Sequence, residues 1–182
     1  MRFIDNQDGV LAADSPTATI RVVDSDFIGN GVCQEGGGCA HGIYVDKVAL
    51  LHIEKSRFSD THDGHHIKSR AFRTELVGST VEDGPDGTAS YLVDVPNGGG
   101  LLVEGDTFEK GPHCSNHGAA IILGEEGVDR PTPEIIVRNN HFRNDMDRPT
   151  IFVRNVTATP VQMADNVLVG QVRPLEGDAS QH

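Results

Sequence analysis

The chain has 182 residues, 37% of them hydrophobic, which suits one domain with a sizeable core. Its formal net charge of −12 argues against general nucleic-acid binding, which needs a basic surface, and no apolar run of about 18 residues is present to span a membrane. With no Trp, 5% aromatics and 21 glycines, short strands joined by tight turns are favoured over a helical bundle.

The first residues, "MRFIDNQDGV", carry charges where the apolar region of a signal peptide would lie, so no signal peptide is read. "MRF" resembles the end of a repeat whose copies follow along the chain. These are "IRVVDSDF" (20–27), "LHIEKSRF" (51–58), "TELVGSTV" (74–81), "LLVEGDTF" (101–108), "IIVRNNHF" (135–142) and "VQMADNVL" (161–168). Ser25, Ser56, Ser79, Asp106, Asn140 and Asn166 fall in equivalent places. Phe3, Phe27, Phe58, Val81, Phe108, Phe142 and Leu168 share a second place. A second strand with period-2 alternation accompanies each copy: "GVLAAD" (9–14), "GIYVDK" (42–47), "GHHIKS" (64–69), "SYLVDV" (90–95), "GAAIIL" (118–123) and "TIFVRN" (150–155).

A repeat of roughly 23–34 residues with no helix-period segment points to a solenoid. The expected fold is all-β, a single-stranded right-handed parallel β-helix of about seven short rungs, forming one domain over 1–182. A β-sandwich is the alternative. Stacked Ser, Asn and Asp should form side-chain ladders at the corners, and stacked Phe should fill the interior. No capping helix precedes Phe3, and an open terminal rung exposes unpaired edges. A truncation, or self-association through that end, is expected. The acidic tail, about 172–182, should fray or cover the last rung.

Cys33 and Cys39 bracket the glycine-rich loop "CQEGGGC", where a disulfide is plausible in an oxidising compartment. Cys114 is left over, more consistent with a packed thiol than a nucleophile. The nearby His113 and His117 have no evident orienting partner. No zinc site from cysteines is implied.

"SDTHDGHHIKSRAF" (59–72) gathers three histidines, Lys68 and Arg70 in this acidic chain. Alternation along the second strands points Ile43, Val45, His65, Ile67, Tyr91 and Val93 inward. Two outward columns follow, Tyr44–His66–Leu92–Ala120 and Asp46–Lys68–Asp94–Ile122, with Arg70 extending the middle rung. Lys68 between Asp46 and Asp94 is a favourable cross-strand arrangement and suits a clamp more than a base. His66 would be the proton-transfer group near neutral pH, with Tyr44 as its acid partner. The bland reading is a charge ladder of purely structural value. A metal site from His62, Asp63 and His66 is disfavoured because a strand splays neighbours to opposite faces. No metal and no cofactor is expected. The Asn-Gly of "VPNGGG" (95–100) marks a turn, from which Asn97 could line a groove.

"HGIYV", "GHHIKSRA", "SYLVDVPNGG", "NNHFRND" and "IFVRN", spanning roughly 20–160, resemble bacterial right-handed parallel β-helix repeat proteins of the broad pectate-lyase-like group. The resemblance implies a secreted or periplasmic protein and a uronate-containing acidic polysaccharide or oligosaccharide as partner. The subgroup is one of uncharacterised activity, but the larger superfamily holds polysaccharide lyases, hydrolases and alginate C5-epimerases, and with the outward cluster a lyase or C5-epimerase acting by proton abstraction is the expected activity. Lys68 or Arg70 would neutralise the carboxylate, and His66 and Tyr44 would move protons. Asp46, Asp94, His62 and Asn97 are candidate substrate-binding residues. "DTHD" (60–63) also looks like the "DPHD" of alginate epimerases, with Thr61 in place of Pro, which would make His62 the base. A hydrolase needs two suitably spaced acids; Asp46 and Asp94 would be about 9.6 Å apart along the axis, but with Lys68 between them. The competing reading is a non-catalytic glycan-binding or surface-assembly module.

Overall fold

A computed structural model describes residues 1–35 and 37–179. Twenty strands and no helices occur among these residues. In chain order they are β1 (Arg2–Ile4), β2 (Val10–Ala12), β3 (Ser15–Val23), β4 (Asp26–Ile28), β5 (Ile43–Val45), β6 (Val48–Glu54) and β7 (Arg57–Ser59). Next come β8 (Ile67–Ser69), β9 (Arg73–Val77), β10 (Thr80–Glu82), β11 (Val93–Val95), β12 (Gly100–Glu104), β13 (Thr107–Lys110) and β14 (Ala119–Leu123). The last are β15 (Ile135–Arg138), β16 (His141–Asn144), β17 (Thr150–Asn155), β18 (Val161–Ala164), β19 (Val167–Val169) and β20 (Val172–Glu176).

Every third strand pairs with the next, giving three sheets. Sheet A runs β1-β4-β7-β10-β13-β16-β19, sheet B runs β2-β5-β8-β11-β14-β17-β20, and sheet C runs β3-β6-β9-β12-β15-β18. All ladders within the sheets are parallel. That excludes the β-sandwich, whose sheets are antiparallel, and is compatible with a parallel β-helix.

Both expected side-chain columns form. The corner residues pass hydrogen bonds from copy to copy: Ser25 N to Ser56 Oγ (3.2 Å), Ser56 N to Ser79 Oγ (3.1 Å), Ser79 N to Asp106 Oδ1 (2.6 Å), Asp106 N to Asn140 Oδ1 (2.9 Å) and Asn140 N to Asn166 Oδ1 (3.1 Å). Each ties down an amide that would otherwise be left open where the chain turns from sheet C to sheet A. The register of sheet A aligns Phe3, Phe27, Phe58, Val81, Phe108, Phe142 and Leu168. Phe27 stacks on Phe3 and on Phe58 with ring centroids 4.6 Å apart in each pair. Phe58 is fully enclosed in the main apolar cluster. Phe58→Ala should therefore destabilise the fold by about 3–5 kcal/mol, the usual loss for an enclosed ring. Urea unfolding checks this, and a loss below about 1 kcal/mol would contradict a shared stacked core.

At the C-terminal end, Val172–Glu176 is strand β20, paired to β17, and the Val161 amide bonds the Asp178 carbonyl at 2.9 Å. The segment thus covers the last coil; residues 180–182 of the expected tail lie outside the described residues. Cys33 and Cys39 form a disulfide. Cys114 is buried, its Sγ 3.0 Å from Met146 Sδ.

Candidate functional site

The outer face of sheet B brings together Tyr44, Lys68, Arg70 and Asp94 of the expected site. Its register places Tyr44, Lys68, Asp94, Ile122 and Arg154 in one column. Ahead of this column, at the approach to each strand, His41, His65 and Tyr91 form a second. The His41 and His65 rings are stacked at 4.9 Å, and the His65 and Tyr91 rings lie 5.4 Å apart. His41 also stacks on Tyr44 at 5.7 Å.

Backbone amides set the tautomers of the two histidines. His65 N donates to His41 Nδ1 (3.0 Å), and Tyr91 N donates to His65 Nδ1 (3.1 Å). An amide can only donate, so each Nδ1 accepts and the ring proton of the neutral form sits on Nε2. Burial, reinforced by nearby positive charge, lowers His41 to about 4 and His65 to about 2. At neutral pH both are uncharged Nε2–H donors, not bases. His65 Nε2 lies 3.3 Å from Asp94 Oδ2.

The cations form a clamp. Lys68 Nζ lies 3.1 Å from Asp94 Oδ2 and 2.7 Å from Glu126 Oε1. Arg70 Nη2 lies 2.6 Å from Glu126 Oε2, Nε donates to Tyr44 Oη at 3.1 Å, and Nη1 donates to Asn97 Oδ1. One carboxylate therefore bridges both cations. It comes from the loop after β14, which is tied to the preceding coil by Gly124 N to Val95 O (3.0 Å), Glu126 N to Pro96 O (2.9 Å) and Arg130 N to Asn97 O (3.1 Å). Gly124 and Gly127 flank Glu126 with φ of 80° and 100°, the left-handed region that glycine adopts without strain. Burial pushes the Glu126 carboxyl up, but the hydrogen bonds from Lys68 and Arg70 outweigh it and hold the group below its ordinary range. Burial dominates at Asp94, raising it to about 6 against the pull of Lys68. Its Oδ1 is buried with no hydrogen-bond partner among the described residues.

Several expectations are corrected here. His66 does not face out. It is buried, with Nδ1 2.8 Å from Thr61 Oγ1 and Nε2 2.9 Å from Asp83 Oδ1. Asp83 Oδ2 in turn accepts from Gly111 N at 3.0 Å. His66, Leu92 and Ala120 do share a column, but that column lines the interior and is headed by Gly42, not Tyr44. His65 and Tyr91, expected inside, belong to the outer face. The chain bends at this corner, so two consecutive residues, His66 and Ile67, both turn inward and simple alternation fails.

The partner of Lys68 also changes. Aligning Gly42 with Gly64 had set Asp46 beside Lys68; the true register pairs Ile43 with Ile67 and Tyr44 with Lys68. The slip is two residues, because Asp63 and Gly64 belong to a turn with φ of 57° and 32°. An even slip preserves which face a strand residue occupies, so Lys68 and Asp94 still share the outer face. Asp46 instead follows β5, its amide bonded to the Ala12 carbonyl at 2.9 Å. His62 is exposed in the turn before β8, its amide bonded to the Asn30 carbonyl at 2.9 Å. Asn97 holds Arg70, as described. Among the described residues, no group of three or more His, Cys, Asp or Glu is placed to hold a metal ion, and no helix is long and apolar enough to cross a membrane.

His41 and Glu126 were not singled out from the sequence. His41 had a signal, since it precedes Ile43 by two residues as His65 precedes Ile67. Glu126 had none, because its contacts lie 58 and 56 residues away along the chain. Comparison with protein-family models, curated proteins and solved structures gives no match to this chain.

Proposed function

We propose that the outer face of sheet B binds a uronate-containing acidic polysaccharide, with a sugar carboxylate held between Lys68 and Arg70. The observation that carries this reading is the Glu126 carboxylate, which already occupies that position with one oxygen on each cation. A planar guanidinium and an ammonium converging on two carboxylate oxygens is the recognition such a group requires. The His41, His65 and Tyr91 rings pack against one another beside the clamp, with His41 and Tyr91 buried. The fold reading extends to a right-handed parallel β-helix of the pectate-lyase-like kind, supported by the strong right-handed preference of parallel crossovers. The Cys33–Cys39 disulfide supports a secreted or periplasmic setting.

Glycan binding without turnover is the first reading, because His66 is enclosed and His41 and His65 carry their protons on Nε2. The contact of Arg70 Nε with Tyr44 Oη favours a second reading, a lyase or C5-epimerase. In the lyase, clamping the carboxylate acidifies C5. Tyr44 Oη receives the C5 proton while its own proton passes to the leaving oxygen, as the C5–H electron pair forms the double bond and the C4–O bond breaks.

The test is a panel of alginate, pectate, glucuronan and glycosaminoglycans. Binding is followed by calorimetry, and unsaturated uronate by near-ultraviolet absorbance. Glu126→Gln should tighten uronate binding about 5–10-fold, because the internal carboxylate no longer competes; unchanged or weakened affinity would contradict the clamp. Absorbance that is lost in Tyr44→Phe would establish the lyase reading. Binding with neither unsaturated product nor a change of uronate C5 configuration by proton NMR would support the binding reading.

A further inference from the structure

A second groove runs over the outer face of sheet A. Two adjoining cavities of about 460 and 200 Å³ share Glu82, Glu109 and Arg143. The register sets Glu82, Glu109 and Arg143 side by side on β10, β13 and β16. Pro85 and Pro112 add apolar walls to the larger cavity, and Asp145 completes its charged lining. Most of these charges are matched. Arg57 pairs with Glu82, and Arg143 Nη2 lies 2.9 Å from Asp145 Oδ2.

Glu109 is the exception. It is only 6% exposed, yet it lines both cavities. Its Oε2 accepts from Gly84 N at 2.9 Å, while Oε1 has no hydrogen-bond partner among the described residues. A carboxyl group that is largely buried, with one oxygen held by a backbone amide and the other free to accept from the cavity, is a fixed acceptor for a donor on a ligand. With Glu82 paired to Arg57 and Asp145 to Arg143, Glu109 is the one carboxyl group of the larger cavity's lining without a cationic partner, so a cation is favoured over an anion there.

We infer that this groove binds a small organic ligand through a primary ammonium group, donated to Glu109 Oε1 between Glu82 and Asp145. This site lies on a different sheet from the carboxylate clamp and does not depend on it. Burial raises Glu109 to about 7; Asp83 and Asp145 add to the shift, and the Gly84 amide and Arg143 oppose it. Glu82 and His141 also line the groove, and Cys114 interacts electrostatically with Glu109 from the following turn. An ammonium requires the ionised carboxylate, so binding releases the Glu109 proton and weakens as pH falls below about 7.

The probe is 1,5-diaminopentane, whose amines stay protonated across the range. It would be titrated calorimetrically at pH 6 and pH 8, with 1,5-pentanediol and glucosamine alongside. Wild-type protein should bind the diamine about tenfold more tightly at pH 8 than at pH 6, and should not bind the diol. Glu109→Gln keeps an acceptor for Gly84 N and should weaken binding and abolish the pH dependence. Arg143→Gln should tighten binding by releasing Asp145. Tighter binding of glucosamine than of the diamine would identify an amino sugar as the source; the reverse order would identify a linear amine. Failure of both amines at pH 8, equal binding of the diol, or a Glu109→Gln variant that keeps wild-type affinity would overturn the inference.

Discussion

Arg70→Ala is expected to lower affinity for an oligouronate by about 100-fold or more while leaving the fold intact. Arg70 is half-buried and meets three groups at once: Tyr44 Oη, Asn97 Oδ1 and Glu126. A carboxylate entering the clamp takes the Glu126 position and inherits a charge-assisted hydrogen bond. Removing one partner of such a pair in a partly buried site typically costs about 2–5 kcal/mol, and each tenfold in affinity is about 1.4 kcal/mol. The stability effect should be modest, since Glu126 and Tyr44 reach solvent and the buried Asn97 keeps its Nδ2 bond to the Gly127 carbonyl at 3.3 Å. Arg70→Lys should recover only part of the affinity, because an ammonium cannot reach Tyr44, Asn97 and a carboxylate in fork geometry. Lys68→Ala would be a poorer test, since it strands the buried Asp94 and mixes destabilisation with lost binding. Calorimetry with an oligogalacturonate reads the result. An Arg70→Ala variant that binds like wild type would remove Arg70 from the clamp.

Asp106→Asn is expected to stabilise the protein at pH 8 by about 2–4 kcal/mol and to leave it nearly unchanged at pH 4. Asp106 is the one carboxyl in the corner ladder; the positions either side hold Ser79 and Asn140. Its Oδ1 accepts from Ser79 N, but Oδ2 is buried with no partner among the described residues. Burial raises it to about 7, opposed by backbone hydrogen bonds from Ser79 and Glu104, against about 3.9 in an unfolded chain. Below pH 4 the group is protonated in both states and carries no penalty. Between about pH 4 and pH 7 only the unfolded chain releases the proton, so stability falls as pH rises and levels off above 7. Asparagine keeps the Oδ1 acceptor and replaces the orphaned oxygen with a donor. Asn140 and Asn166 show that the site accommodates it, with Nδ2 bonded to Val103 O (3.1 Å) and Val137 O (2.8 Å). Urea unfolding of both proteins at pH 4, 6 and 8 provides the check. A variant less stable than wild type at pH 8 would contradict a penalised Asp106.

The legible part of this molecule was the part that repeats without gaps. Sheet C, the corner and sheet A follow one another within eight residues, so a single aligned pattern set the ladder from Ser25 to Asn166 and the Phe column in correct register. The sheet B strands follow loops of different length, and there a shared glycine was a poor anchor. Gly42 sits at the corner opposite His66, whereas Gly64 sits in the preceding turn with φ of 32°. From that slip came one false neighbour of Lys68, Asp46 in place of Tyr44, while Asp94 was placed correctly. The misplacement of His66 and His65 has a separate cause, the bend that turns both His66 and Ile67 inward. Glu126 lay beyond reach for a third reason. A loop that folds back over an earlier coil leaves no periodic trace, and its contact with Lys68 and Arg70 exists only in three dimensions.

The most direct test of the carboxylate clamp is calorimetric titration of wild-type protein with oligogalacturonate and with the same oligomer after reduction of its carboxyl groups to alcohols. The clamp predicts binding of the acidic oligomer that weakens as salt is raised, and loss of at least 100-fold on carboxyl reduction. Equal binding of both oligomers, or binding of neither by the wild type and by Glu126→Gln, would contradict it.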